Sequence, residues 1–207
     1  MDILTGIKER RSINFFEVGK VIPDDTEIEL IKVANLAPSS MNLQPWKLIV
    51  VKTEEMKEKL MQVAFGQPKV KEASVVFVII ADPKALEENI DKVLESWVNL
   101  GYIDKPTAEK YKQMAFALYS DPNSEKRKIF AVKNSSFFAM NLMNAARGFG
   151  LETHPMDGFD EASLKKLFNL DDNVIIPLII ACGYKREGIT LLPRAFRRDI
   201  DDFVKFV

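Results

Sequence analysis

Ten consecutive residues, Ala37-Pro38-Ser39-Ser40-Met41-Asn42-Leu43-Gln44-Pro45-Trp46, carry two hydroxyls, two carboxamides and an indole with no charge among them. Hydroxyls and amides offer both hydrogen-bond donors and acceptors. At this density they suit a planar heteroaromatic ligand with C=O and N–H edges, such as a flavin or a nucleobase, and polar loops between regular elements are where such groups concentrate. A plainer reading also fits. Pro, Ser and Asn are ordinary turn residues, and a helix end followed by two turns explains this segment slightly better when it is taken alone.

Two arginine groups shift the balance. Arg10-Arg11-Ser12 follows a short helical pattern at Ile3, Leu4 and Ile7. Two guanidiniums and a hydroxyl can grip a phosphate through forked, charge-assisted hydrogen bonds, although a basic last turn that complements the helix dipole has the same composition. Pro193-Arg194-Ala195-Phe196-Arg197-Arg198 supplies a second group near the C-terminus. Phosphate at one end and a polar planar ring at the other describe a mononucleotide-type cofactor.

Taken in chain order, Arg10-Arg11-Ser12, Pro38-Ser39-Ser40 with Asn42 and Gln44-Pro45-Trp46, Gly150-Leu151 leading to Pro155-Met156-Asp157-Gly158-Phe159, Pro177 to Gly183 and the closing arginines resemble the nitroreductase family of FMN-dependent oxidoreductases. The resemblance runs from Ile3 to Arg197. It implies an α+β fold, a mixed sheet flanked by helices, and an intertwined homodimer with two FMN sites at the interface. By the same resemblance, Arg10, Arg11 and Ser12 match the phosphate and ribityl contacts. Ser39 and Ser40 match the loop that meets the cofactor from the other subunit, with Pro38 before them and Asn42 and Gln44 as the polar continuation. Gln67 and Lys69 fall where the family reaches the pyrimidine edge. Pro155, Met156, Asp157 and Gly158 match the turn against the isoalloxazine ring. Arg194 matches a C-terminal phosphate ligand, and Arg197 is the choice for a second, since Phe196 holds the nominal position. One position departs from the pattern. Many members carry Lys or Arg near the flavin N1–O2 edge, where this chain has Asn14. A cation there would stabilise the anionic reduced flavin, so the reduction potential is expected to lie low for the family unless Lys69 compensates.

Periodicity and breakers outline the elements that must position these groups. A helix is expected from Asp25 to Leu36, ending before Pro38 because the residue preceding proline avoids the α region. Lys47 to Lys52 and Ser74 to Ala81 are near-continuous apolar runs, expected as buried strands. Thr53 can cap a helix through Ala64. Pro83 opens a helical stretch to Asn99, and another helix lies near Thr107 to Tyr119. Phe116 and Tyr119 could face a ligand there, though each more simply covers a core or a dimer seam. A long helix from Glu125 to Arg147 carries Phe130, Phe137, Phe138, Met140, Leu142 and Met143. It is apolar nearly all round towards its end, so it is expected to be deeply buried, as a central dimer helix or a core helix. Gly148 and Gly150 stop it. Asp160 can cap Glu161 to Phe168. Val174 to Cys182 is the last strand, and Pro177 within it argues for a bulge or an edge. The tail Asp201 to Val207 ends in apolar residues. In the family such tails often cross to the partner subunit, and a frayed terminus is the alternative.

At 207 residues one domain is the default expectation. A formal net charge of −1 gives no reason to expect a nucleic-acid binder. The single cysteine, Cys182, lies in an apolar run and fits a reducing compartment. No secretory signal is recognised at the N-terminus, and no apolar stretch approaches the ~20 residues that span a bilayer, so a cytoplasmic protein without membrane contact is expected. The lone His154 has no Gly-x-Ser-x-Gly elbow or reactive cysteine to serve, and one histidine makes a metal site unpromising. No Gly-x-Gly-x-x-Gly or Walker loop occurs.

The resulting expectation is an FMN-dependent oxidoreductase with no side chain nominated as an indispensable acid or base. Hydride passes from NAD(P)H to flavin N5 and then to a nitroaromatic, quinone or similar small-molecule acceptor, by a ping-pong mechanism. The alternatives are another chemistry on the same scaffold (dehalogenation, flavin fragmentation, azoline oxidation), a non-catalytic FMN-binding protein, or a plain α+β protein without flavin.

Overall fold

A computed structural model describes residues 2–207. Its centre is a four-stranded sheet of β1 (Trp46–Val51), β2 (Val75–Ala81), β3 (Glu152–Met156) and β4 (Ile175–Gly183), in the order β1-β2-β4-β3. All the paired strands run antiparallel. The parallel component is confined to an isolated bridge between Ser12 and Thr153, which ties the N-terminal arm to the β3 edge.

Strand β2 reads Val-Val-Phe-Val-Ile-Ile-Ala, and every residue in it is buried. Side chains alternate across a strand, so the run must be covered on both faces. Val76, Val78 and Ile80 enter a layer built with Ile13, Phe16, Leu60, Val70 and Leu164. Val75, Phe77 and Ile79 enter the opposite layer with Leu30, Ala34, Phe138 and Leu142. The first face is covered by α3 (Glu54–Val63), α4 (Pro68–Glu72) and α8 (Glu161–Leu167), and the second by α2 (Asp24–Ala34) and α7 (Glu125–Gly148). The excursion α5 (Ala85–Asn99) and α6 (Lys105–Tyr119) packs a third cluster onto the first half of α7, through Leu86, Ile90, Ala115, Tyr119 and Phe130.

Local chemistry sets the boundaries. The hydroxyl of Thr53 accepts from the Met56 N–H at 3.3 Å and starts α3. Asp160 accepts from the Ser163 N–H at 2.7 Å and starts α8. Gly150, at φ 73°, takes the left-handed position that ends α7. Pro177 sits in a bulge of β4: Ile79 pairs with Leu178, but two residues on Ala81 pairs with Ile175, so β4 carries one extra residue where Pro177 has no N–H to give.

Two expectations are corrected within one chain. The run at Lys47 to Lys52 is a half-buried edge strand rather than a buried one, with only Val51 of β1 fully covered. In α7, Phe130, Phe138 and Leu142 are buried as expected, but Phe137 is 46% and Met140 40% exposed. Tyr119 is buried with its hydroxyl against the Ser40 side chain, in keeping with the simpler core-covering reading. Among the described residues no helix is long and apolar enough to cross a membrane.

Candidate functional site

The N-terminal and C-terminal arginines meet. The guanidinium of Arg194 donates to the carbonyls of Lys8 and, at 3.3 Å, Arg10, and Arg11 donates to the Leu192 carbonyl at 3.1 Å. The segment 192–194 therefore docks on the end of α1 (Ile3–Glu9), and Arg197 lies close enough for its charge to act on Arg10. Arg10 is half-buried, and its Nη1 is shielded from solvent with no hydrogen-bond partner. Burial, and then the neighbouring charges of Arg194, Arg197 and Arg147, push its pKa down against the attraction of Glu152. Cations gathered this way, with an unused buried donor among them, form a cradle for an anion such as phosphate.

A second cluster adjoins the first. The β3 strand presents His154, and the N-terminus of α4 presents Gln67 and Lys69. The Gln67 amide donates to the Gly158 carbonyl at 2.8 Å. Lys69 Nζ lies 3.4 Å from Gln67 Oε1 and 3.3 Å from His154 Nε2. Burial lowers the Lys69 pKa, and among the described residues no carboxylate forms an ion pair with it. His154 falls to about 4 through burial and the charges of Lys69 and Arg10, so it is neutral near pH 7. Pro155 is half-buried, Met156 turns into the core, and Asp157 and Gly158 are exposed at the end of β3. Ser12 and Asn14 lie exposed on the N-terminal arm.

The polar loop stands apart from both clusters. Ser40 is tied on two sides: its N–H donates to Asn134 Oδ1 at 2.9 Å, and its hydroxyl bonds the Tyr119 hydroxyl. Ser39 Oγ accepts the Gln44 N–H at 2.9 Å, and the Gln44 amide donates to the Asn42 carbonyl at 3.0 Å. The Ser135 hydroxyl of α7 donates to the Pro45 carbonyl at 3.2 Å. Helix α7 thus pins both ends of the loop. Met41, Asn42 and Gln44 have φ of 53°, 54° and 46°, a left-handed conformation that costs on the order of 1 kcal/mol or more per non-glycine residue. Such strain is held where backbone shape serves a function. Beside the loop lies a cavity of about 530 Å³ lined by Asn35, Asn42, Gln44, Trp46, Asn89 and Lys92. Pro38 is exposed at the loop's entry. Among the described residues no side-chain hydrogen bond joins the loop to the arginine or Lys69 clusters within one chain.

A family model described as the nitroreductase family matches residues 7–184. The chain belongs to the nitroreductase family. The match spans Arg10 to Ser12, the polar loop and the whole sheet, while residues 1–6 and 185–207, with Arg194 and Arg197 among them, lie outside it. MhqN of Bacillus subtilis, which carries the provisional name NAD(P)H nitroreductase, is 32% identical over 201 residues, 97% of each chain. The crystal structure of YdfN from Bacillus subtilis superposes with a TM-score of 0.92 at 30% identity, covering 99% of this chain and 98% of that one. A provisionally named nitroreductase of Exiguobacterium sibiricum, crystallised in complex with FMN, shares the fold with a TM-score of 0.89 at 24% identity, covering 100% and 98%.

Several residues at these clusters had no site role in the sequence analysis, His154 having been set aside there as a nucleophile's base or metal ligand. His154 and Glu152 lie two apart on one face of β3, a signal visible only once that segment is read as a strand. Arg147, which pairs with Glu152 and Glu9, looked like an ordinary basic helix end. Asn134, buried in α7 and holding Ser40, resembled any polar residue of a long helix.

Proposed function

We propose that this nitroreductase-family protein is a homodimeric, FMN-dependent NAD(P)H oxidoreductase. The observation that carries the cofactor is the buried, unpartnered Nη1 of Arg10 inside a cluster of arginines. That donor set fits a phosphate monoester, and the amide and ammonium of Gln67 and Lys69 fit the acceptor-rich pyrimidine edge of a flavin. The FMN complex of the Exiguobacterium relative supports the same choice. Arg10, Arg194 and Arg197, with Arg11 and Ser12, would hold the phosphate and ribityl chain, and Pro155 to Gly158 would back the ring. Asn14 would lie beside the ring without adding charge.

The polar loop is built and strained but lies away from these residues within one chain. A second copy supplying Ser39, Ser40, Asn42 and Gln44 completes the site. Exposed apolar residues support that pairing: Ile3 and Leu4 on α1, Phe137 and Met140 on α7, and Phe203 and Phe206 in the tail.

When bound, FMN would supply the hydride chemistry at N5 between NAD(P)H and a nitroaromatic, quinone or similar acceptor. The protein binds, orients and neutralises charge; no side chain is assigned as proton donor. Cys182 takes no part, since it is buried and its thiol is pushed up to about 12. The cytoplasm, where NAD(P)H is supplied, is the proposed compartment. The test is steady-state NADH and NADPH oxidation with an added quinone. Sustained turnover supports the enzyme. FMN bound without turnover would assign a binding protein instead.

A further inference from the structure

His154 is the chain's only histidine, and its hydrogen bonds fix its tautomer. Nδ1 lies 3.0 Å from the Ile13 carbonyl oxygen. A carbonyl can only accept, so Nδ1 carries the proton and Nε2 presents a lone pair. The group 3.3 Å from that lone pair is Lys69 Nζ, which can only donate. The contacts form one directional chain. His154 gives to Ile13, Lys69 gives to His154 and to Gln67 Oε1 at 3.4 Å, and Gln67 gives to the Gly158 carbonyl at 2.8 Å. An ammonium has three N–H groups, and two are used here. The imidazole is held in turn by the N-terminal arm, whose Ile13 N–H donates to the Thr153 carbonyl at 3.1 Å. Arm, strand β3 and helix α4 therefore converge on one lysine side chain that has no carboxylate partner among the described residues.

We infer that His154 is a positioning residue that fixes the Lys69 ammonium at the Gln67–Gly158 corner, leaving one N–H for the pyrimidine edge of the cofactor. The inference rests on the FMN reading above. It also gives Lys69 the task that Asn14 cannot perform, since a neutral amide supplies no charge to an anionic reduced flavin. Neutral His154 aids this, because an imidazolium would repel the ammonium.

The test compares wild type with His154→Leu, His154→Gln, Lys69→Met and the His154→Leu/Lys69→Met double variant. Two quantities are read: the FMN dissociation constant by flavin fluorescence, and the flavin midpoint potential. His154→Leu and Lys69→Met are each expected to weaken FMN about tenfold, the loss of one charged hydrogen bond, and to lower the potential. The double variant is expected to match Lys69→Met, because His154 acts through Lys69. His154→Gln, which keeps an acceptor within reach, is expected to recover most of both quantities. Additive effects, or a leucine variant equal to wild type in both, overturn the inference while leaving the cofactor in place. A wild type that binds no FMN overturns the cofactor and this inference together. Imidazole nitrogen shifts of the wild type give an answer independent of folding in the variants. The Nδ1–H tautomer supports the inference, and the Nε2–H tautomer overturns it.

Discussion

Replacing Arg10 by methionine is expected to act with opposite sign on folding and on cofactor binding. The substitution keeps an aliphatic stem and removes the charge. In the FMN-free protein the guanidinium is half-buried, Nη1 has no partner, and Arg194, Arg197 and Arg147 repel it against the attraction of Glu152. Glu152 keeps Arg147 as its partner in the variant. Removing Arg10 therefore leaves the thermal midpoint of FMN-free protein unchanged or higher. Phosphate reverses the sign. A charged hydrogen bond contributes about 1.5–3 kcal/mol, so FMN binding weakens about ten- to 150-fold. The assay is thermal unfolding with and without FMN, beside a fluorescence titration. At FMN one hundred times the wild-type Kd, wild type gains about 2.7 kcal/mol, and a variant weakened about 100-fold gains about 0.4 kcal/mol. Wild-type FMN affinity in the variant, or a midpoint several degrees lower without FMN, would refute the reasoning.

Arg127 is fully buried, with its guanidinium bonded to Glu87 and to the carbonyls of Pro83 and Ser120 at 2.7, 2.8 and 2.6 Å. Arg127→Met strands those acceptors and is expected to cost about 3 kcal/mol, read from the urea midpoint. The folded-state pKa of His154, about 4, lies below its ordinary 6.5. The unfolded chain then binds the extra proton, so this group's contribution to stability is complete above pH 6.5 and is lost as pH falls towards 4. The difference in urea midpoint between wild type and His154→Gln should change across that window, and a constant difference contradicts the assignment. Phe137→Lys puts a charge on the exposed apolar stripe of α7; sedimentation should show a shift from dimer to monomer together with lower FMN content.

The elements were legible where side-chain chemistry is local. Thr53 and Asp160 announce their helices because a hydroxyl or carboxylate three residues before an open N–H caps it. The bulge at Pro177 follows from a missing N–H. The continuous apolar run of β2 required cover on both faces, and it has it. Other features depended on packing that no local pattern encodes. The five residues of β3 include a histidine and a proline and show no alternation of apolar and polar, so only a turn was visible there. Helix α4 has five residues, too few for a period. Arg127 resembles a solvated first-turn residue until the end of α6 closes over it. The polar loop and the arginines were picked out by composition, but their separation within one chain is a property of the fold. Composition left a ligand-facing Tyr119 open beside the simpler core reading, and its contact with Ser40, 79 residues away, decides for the core.

The most direct test of the flavoenzyme reading is the visible absorption spectrum of the purified protein, supplied with FMN and then, without oxygen, with NADPH or NADH. A flavin band that co-purifies or is retained after desalting, and that bleaches with either nucleotide, is the predicted result. A protein that stays colourless after incubation with FMN would contradict it, because the arginine cradle and the Lys69 corner would then have no ligand in common.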